Sequence, residues 1–305
     1  MFLRGHWRRF RQDLSDHRDS SNRGTENMIE SEMRSPVARL RGREGSALVA
    51  LITIVDEELA AMRAVENFEK FAGQSPYFYR NQISEAEYDV ILAQSADRSN
   101  TPCTELVTDL AERFRPEFII LSGIAGGVGG RDRVSLGDVI VADHVDGYEM
   151  QKLSQGRGRQ RRVALDHPSK YLRETVAHRV RHSGHWKTRI VANRPEPGDP
   201  ALIVGNLIAG DKILGDGESA YQKQILEEFD KAVAVDMESY GLARGVYSAR
   251  STRYYNLNYL VVRGISDLVN DTANNEIRRQ WRDYAASAAA AFSISVADEI
   301  VAQLR

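Results

Sequence analysis

The sequence predicts an α/β fold built on a mostly parallel sheet. Two observations predict it. Segments of strand length alternate along the chain with segments of helical spacing. Several of the strand-like segments, Ala47–Val55 first among them, are continuously apolar, as strands buried on both faces must be. The 42% apolar content is enough to bury a core.

The elements follow in order. Residues 1–45 are rich in Arg, Ser, Asp and Asn without a sustained apolar period, and read as a poorly ordered basic tail. Residues 46–305 read as one domain. After the strand at Ala47–Val55, Asp56–Lys70 shows helical spacing through Leu59, Met62, Val65 and Phe68, with acids in its first turn. Tyr77–Arg80 and Tyr88–Ala93 read as short strands. Pro102–Phe114 reads as a helix with proline in its first turn. Glu117–Leu121 is a strand, followed by the glycine-rich Gly123–Gly130, and Asp138–Val145 is another strand. A helix is expected at Ser169–His182, and Arg194–Pro200 reads as a loop. Ala201–Ile208, Ala232–Val235 and Leu257–Val262 read as strands. Ser219–Phe229, capped by Ser219, and Met237–Ser248 read as helices. Asn275–Leu304 reads as a long Ala-rich helix with a break near Ser287.

Composition narrows the function. No apolar run reaches the roughly 18 residues of a membrane helix, and the N-terminus lacks a secretory h-region, so a cytoplasmic protein away from membranes is expected. The lone Cys103 allows neither an intramolecular disulfide nor a thiolate metal cluster, and there is no HExxH motif. No metal and no cofactor are therefore expected. The net charge of −2 argues against bulk nucleic-acid binding. That charge is unevenly spread: residues 152–194 hold twelve Lys and Arg against two acids, an excess of +10.

In open α/β sheets, ligands gather at the carboxyl ends of strands. Polar residues follow the apolar runs at four places: Asp56-Glu-Glu58, Ser122-Gly-Ile-Ala-Gly-Gly127, Asp236-Met-Glu238 and Arg263-Gly-Ile-Ser-Asp267. Taken singly, each also fits a bland reading. Acids in a first turn complement the helix dipole, glycines make a tight turn, and an aspartate caps a helix.

Taken together, in order, they resemble the nucleoside phosphorylase/nucleosidase superfamily, nearest its methylthioadenosine/S-adenosylhomocysteine nucleosidase branch. The matching segments are Val55–Leu59, Gly123–Gly127, Leu136–Ala142, Ile208–Ile213, Ala234–Glu238 and Val262–Asp267. The resemblance implies a three-layer α/β/α fold with a central mixed, mostly parallel sheet. It implies a general acid at Asp267, with Ser266 orienting it. It implies Glu58 as the base that deprotonates an attacking water. Glu238 would bind the ribose hydroxyls, Met237 would pack on the sugar, and Ile213 and Leu214 would line the purine pocket. Ala125 and Gly126, in the glycine segment, would contact substrate. The substrate expected is a small-molecule purine nucleoside or 5′-phosphorylated nucleotide, adenine type favoured, and the assembly expected is a homo-oligomer. Asp236 stands where nucleosidases usually carry glutamate, and Ile124 where many carry serine.

The segment Thr53–Glu58 has no glycine or arginine to hold a phosphate and carries three acids, which favours hydrolysis over phosphorolysis. The basic stretch suggests a 5′-phosphate, held by Lys152, Arg157, Arg159, Arg161 or Arg162, with Lys212 a further candidate. A solvated charged face is the plain alternative. The competing functions are a purine nucleoside phosphorylase and a non-catalytic nucleotide-sensing module. An antiphage effector that depletes nucleotides is also compatible with the resemblance. His144, His178 and His182 are read as structural or surface residues.

Overall fold

The computed structural model describes residues 45–305, apart from residues 74, 131–133, 155–157, 162–163, 251–254, 272 and 305, and describes the backbone alone at 153–154 and 158–161. The tail expected over residues 1–45 lies, but for Gly45, outside the described residues.

The strands are β1 (Ser46–Thr53), β2 (Glu69–Lys70), β3 (Tyr77–Ser84), β4 (Glu87–Gln94), β5 (Phe118–Gly127), β6 (Val139–Gly147), β7 (Gln151–Ser154), β8 (Gly158–Arg161), β9 (Leu165–Asp166), β10 (Leu202–Ala209), β11 (Ala232–Asp236) and β12 (Asn258–Leu268). The helices are α1 (Asp56–Val65), α2 (Asn100–Arg113), α3 (His178–Ser183, entered through a wider turn at Leu172–Ala177), α4 (Ala220–Glu228), α5 (Ser239–Ala249) and α6 (Asn274–Leu304).

Ten strands form one sheet in the order β11-β10-β6-β12-β5-β1-β4-β3-β2, with β9 on β6. Pairings at β1, between β5 and β12, and on both sides of β10 are parallel. β12–β6 and β3–β4 are antiparallel, so the sheet is mixed. β11 also pairs with the end of β5, so that β5, β12, β6, β10 and β11 close on themselves.

Side-chain alternation explains the layers. Val49 and Leu51 of β1 face a core shared with Met62 of α1 and Trp281 and Phe292 of α6. Ala50 and Ile52 face the other core, with Cys103 and Leu110 of α2 and Leu242 of α5. Both faces of the sheet are thus covered by helices, in a three-layer α/β/α arrangement.

Several expectations about elements need correction. The first helix stops at Val65, because Glu66 turns extended (φ −145°, ψ 148°) and sends Glu69–Lys70 into the sheet beside β3. The turn at Glu66 lets Phe68 enter the core. Helix α6 has no break at Ser287. That hydroxyl is buried and accepts the backbone N–H groups of Val191 and Ala192, at 3.0 and 3.2 Å, so it ties a loop to the helix. The glycine segment is the end of a ten-residue strand, and β12 likewise runs through Arg263–Asp267. The short strands β7 to β9 follow no clear apolar pattern and were not expected.

Among the described residues one helix, α6, is long and apolar enough to cross a membrane, contrary to the reading of apolar runs. Its apolar window is 72% buried inside the protein. Its alanines allow the close approach to β12: a Cβ at Gly264 would strike the carbonyl of Ala285.

Candidate functional site

An open cleft lies where β1, β5, β11 and β12 end. It is lined from segments far apart in sequence, and these include Glu58, Ala125, Gly126, Met237, Glu238, Ser266 and Asp267. Ile213 and Leu214, from the loop after β10, line it too. All nine residues read from the sequence as catalytic or substrate-binding therefore border one space. Leu214 is buried, whereas Ile213 is 64% exposed at its edge.

The three acids after β1 part company. Asp56 accepts a hydrogen bond from Gln94 Nε2 at 2.9 Å, and Glu57 pairs with Arg282 at 2.7 Å. Glu58 turns inward and is 3% exposed. Its Oε2 accepts the N–H groups of Ile54 (2.7 Å) and Val55 (3.1 Å), as a glutamate in the third helical position does when it reaches back over its own first turn. Its Oε1 accepts the N–H of Ile124 at 2.8 Å. Burial raises its pKa, against the nearby Arg263 charge and the three backbone donors. Gly123 makes this possible, because a Cβ there would collide with Glu58 Oε1 and Arg263 Nη1.

Arg263 is the residue that sequence reasoning passed over. It lies within β12 and is fully buried. Its Nε donates to Asp236 at 2.7 Å and its Nη2 to Glu238 at 3.1 Å. Its Nη1 stands 3.9 Å from Glu58 Oε1 and is a buried donor with no hydrogen-bond partner. The signal was present: a charge inside the apolar run Leu260–Ile265 must have buried partners. Burial works against its charge, but Asp236, Glu238 and Glu58 outweigh it and hold its pKa above the usual value.

Asp236 anchors the network from below. It accepts the N–H of Ser239 at 3.1 Å and the hydroxyl of the same residue. Glu238 also accepts the N–H of Ser99 at 3.2 Å. Burial, with Asp236 and Glu58 adding to it and Arg263 opposing, pushes Glu238 up to about 7. Ser99 has φ +99°, a strained conformation for a residue other than glycine, which directs its N–H to Glu238.

Asp267 lines the same cleft from near the end of β12. Ser266 Oγ donates to its Oδ1 at 2.6 Å. Burial raises its pKa, and the Ser266 hydroxyl, the Arg278 charge and the Asn274 side chain only partly offset this. A Cβ at Gly126 would press on Asp267 Oδ2 at 3.2 Å, so the glycine leaves room for the acid.

Of the phosphate ligands expected from the basic stretch, Lys152 is exposed on β7. Arg157 and Arg162 lie outside the described residues, and Arg159 and Arg161 lie on β8 with side chains outside them. Lys212 lines the cleft but is paired with Glu149. Other cations of the basic stretch hold the fold together. Arg189 pairs with Glu66 and Asp298, Arg179 with Glu299, and Arg173 with Asp143 and Glu174. His178 and His182 face each other on the surface at 3.0 Å between Nε2 atoms.

Residues 48–302 match the family model described as the phosphorylase superfamily. The chain belongs to that superfamily. It is 26% identical over 245 residues to the Escherichia coli ATP nucleosidase Cap17, covering 74% of this chain and 47% of that protein. This superfamily member thus spans about half the length of that relative. It is also 26% identical over 263 residues to the Staphylococcus aureus (strain MRSA252) 5′-methylthioadenosine/S-adenosylhomocysteine nucleosidase, covering 84% of this chain and 100% of that protein. Among solved structures, the Helicobacter pylori futalosine hydrolase matches with a TM-score of 0.64 at 18% identity, over 83% of this chain and 98% of that one. The Helicobacter pylori 5′-methylthioadenosine/S-adenosylhomocysteine nucleosidase in complex with an inhibitor matches with a TM-score of 0.62 at 18% identity, over 84% and 99%.

Proposed function

We propose that this chain is a purine nucleosidase, which hydrolyses the N-glycosidic bond of a purine nucleoside or 5′-phosphorylated nucleotide and releases the free base. One observation carries the reading: two buried carboxyl groups, Glu58 from the first turn of α1 and Asp267 from β12, border a single cleft. The names of the relatives, an ATP nucleosidase and methylthioadenosine/S-adenosylhomocysteine nucleosidases, support the reaction class.

The chemistry needs both ends of the cleft. Breaking the bond leaves positive charge on the sugar and negative charge on the departing base. Asp267, whose carboxyl burial shifts toward the protonated form, donates its proton to the base. Glu238 accepts hydrogen bonds from the ribose hydroxyls, and the Asp236 and Glu238 side chains lie where the sugar cation develops. Glu58 takes a proton from the attacking water. The partnerless Nη1 of Arg263 and the Oε1 of Glu58, 3.9 Å apart, are a donor and an acceptor for that water. A group that can accept and a group that can donate, held apart across the scissile bond, follow the two-carboxylate logic of glycoside hydrolysis. A non-catalytic sensor would have no use for both. Arg263, committed to two carboxylates, is not free to hold a phosphate nucleophile.

The test is product analysis. Incubating the full chain with adenine and guanine nucleosides and nucleotides should release free base and a free sugar or sugar 5-phosphate, with no need for inorganic phosphate. Formation of a sugar 1-phosphate would assign phosphorolysis instead.

A further inference from the structure

We propose that Arg98, Arg278 and Arg279 form a subsite for the 5′-phosphate chain of the substrate, so that the preferred substrate is a purine nucleoside 5′-di- or triphosphate. This rests on the nucleosidase reading for what happens in the main cleft, and adds what binds beside it.

A second cleft adjoins the first. The two share Val55, Arg98, Ile124 and Arg278, so a ligand in one continues into the other. The second cleft adds Arg279, Arg282, Asn275 and Glu57. Four arginines thus face one acid, and that acid, Glu57, already pairs with Arg282 at 2.7 Å. Arg98, Arg278 and Arg279 form no ion pair among the described residues, although the Arg278 charge acts on Asp267, and all three border an open space. Arg80, Arg173, Arg179 and Arg189, by contrast, all have carboxylate partners.

Placement agrees with the substrate's geometry. Arg98 precedes Ser99, whose N–H holds Glu238, the acid assigned to the sugar. Arg278 is close enough to Asp267 to lower its pKa by charge. Arg98 and Arg278 line both clefts, so anions carried on the 5′ position of a nucleotide in the main cleft can reach them from there. Guanidinium groups bind phosphate oxygens through paired N–H donors. Three free cations exceed what one monophosphate needs and suit a chain of phosphates.

The same chemistry could take free inorganic phosphate, and the experiment separates the two sources. Equilibrium binding of adenosine, AMP, ADP and ATP is measured by calorimetry on the inactive Asp267→Asn protein, with and without R98Q/R278Q/R279Q, at fixed salt and without divalent ions. The expected result is that ATP binds about tenfold or more tightly than adenosine and that the triple substitution abolishes most of this ratio. The advantage should shrink as salt rises. Equal affinities, or a ratio untouched by the substitutions, would overturn the subsite. So would base release by the unsubstituted protein that requires inorganic phosphate and yields sugar 1-phosphate. Failure of the nucleosidase reading looks different: no base is released from any compound, while the binding ratio still reports on the arginines.

Discussion

Glu58, in the first turn of α1, and Asp267, near the end of β12, are both buried carboxyl groups whose pKa burial raises, yet their hydrogen-bond partners differ. Glu58 is fastened by three backbone N–H groups and lies beside a buried arginine. Those donors fix both oxygens in place and support the ionised form against burial. Burial is the largest influence on the pKa of Asp267, and the groups that oppose it are the Ser266 hydroxyl, the Arg278 charge and the Asn274 side chain, with no backbone donor among them. The difference teaches how one site can hold an acceptor and a donor of the same chemical type. Direction of the proton is decided by what surrounds each carboxyl and not by residue identity.

The sharpest way to break the comparison is to neutralise each carboxyl. Asp267→Asn and Glu58→Gln should each lower kcat by about 10²–10⁴-fold, measured as base release. The stability outcomes should differ from the activity outcomes. Because Asp267 has a raised pKa in the fold, ionising it costs the native state, and that cost sets in as pH rises from the ordinary carboxylate range through its folded value. Asp267→Asn should therefore be inactive yet at least as stable as the parent at neutral pH, with the difference growing as pH rises, as followed by thermal unfolding. Loss of stability on this substitution would mean that the carboxyl is structural.

Arg263 separates the two regions by a second route. Arg263→Met leaves Asp236, Glu238 and Glu58 buried without their cation. Removing one partner of a buried ion network typically costs about 3–5 kcal/mol. The Tm should fall by roughly ten degrees or more. Arg263 opposes the raised pKa values of Glu58 and Glu238, so without it both rise further and the variant should lose stability as pH rises through their values. Activity should fall at the Glu58 end while binding of a free purine base at the Asp267 end persists, read by calorimetry. Equal loss at both ends would show that the cleft behaves as one unit.

Much of this was legible in the residues, and the remainder failed for physical reasons. The strands could be read because continuous apolar runs are required where both faces are buried. The carboxyls at Glu58, Glu238 and Asp267 could be read because charged groups directly beside such runs need an explanation. The Gly123–Gly127 segment was harder: glycine marks turns and close approaches alike, and only the neighbours show that Gly123 yields space to Glu58 and Arg263. The arginines beside the cleft were missed because Arg98 and Arg278 are 180 residues apart in the chain, and no local pattern links them. The dense basic stretch drew attention instead, although several of its cations are tied to acids on α1 and α6. Charge density along a sequence does not report whether each charge has a partner, and the unpaired ones are the informative ones.

The smallest expected effect is also the most specific. The Ser266 hydroxyl donates to Asp267 Oδ1 at 2.6 Å, and this bond favours the ionised aspartate. Ser266→Ala removes it and should raise the Asp267 pKa further. If kcat/KM follows a bell, its acid limb reports Glu58 losing its proton and its basic limb reports Asp267 losing the one it must donate. Both limbs should lie above the ordinary carboxylate range, since burial raises both groups. Ser266→Ala should therefore move the basic limb to higher pH by roughly one unit or less and leave the acid limb in place. A shift of both limbs would mean that the two carboxyls titrate as a coupled pair, and the contrast between donor and acceptor would then belong to the pair and not to either residue.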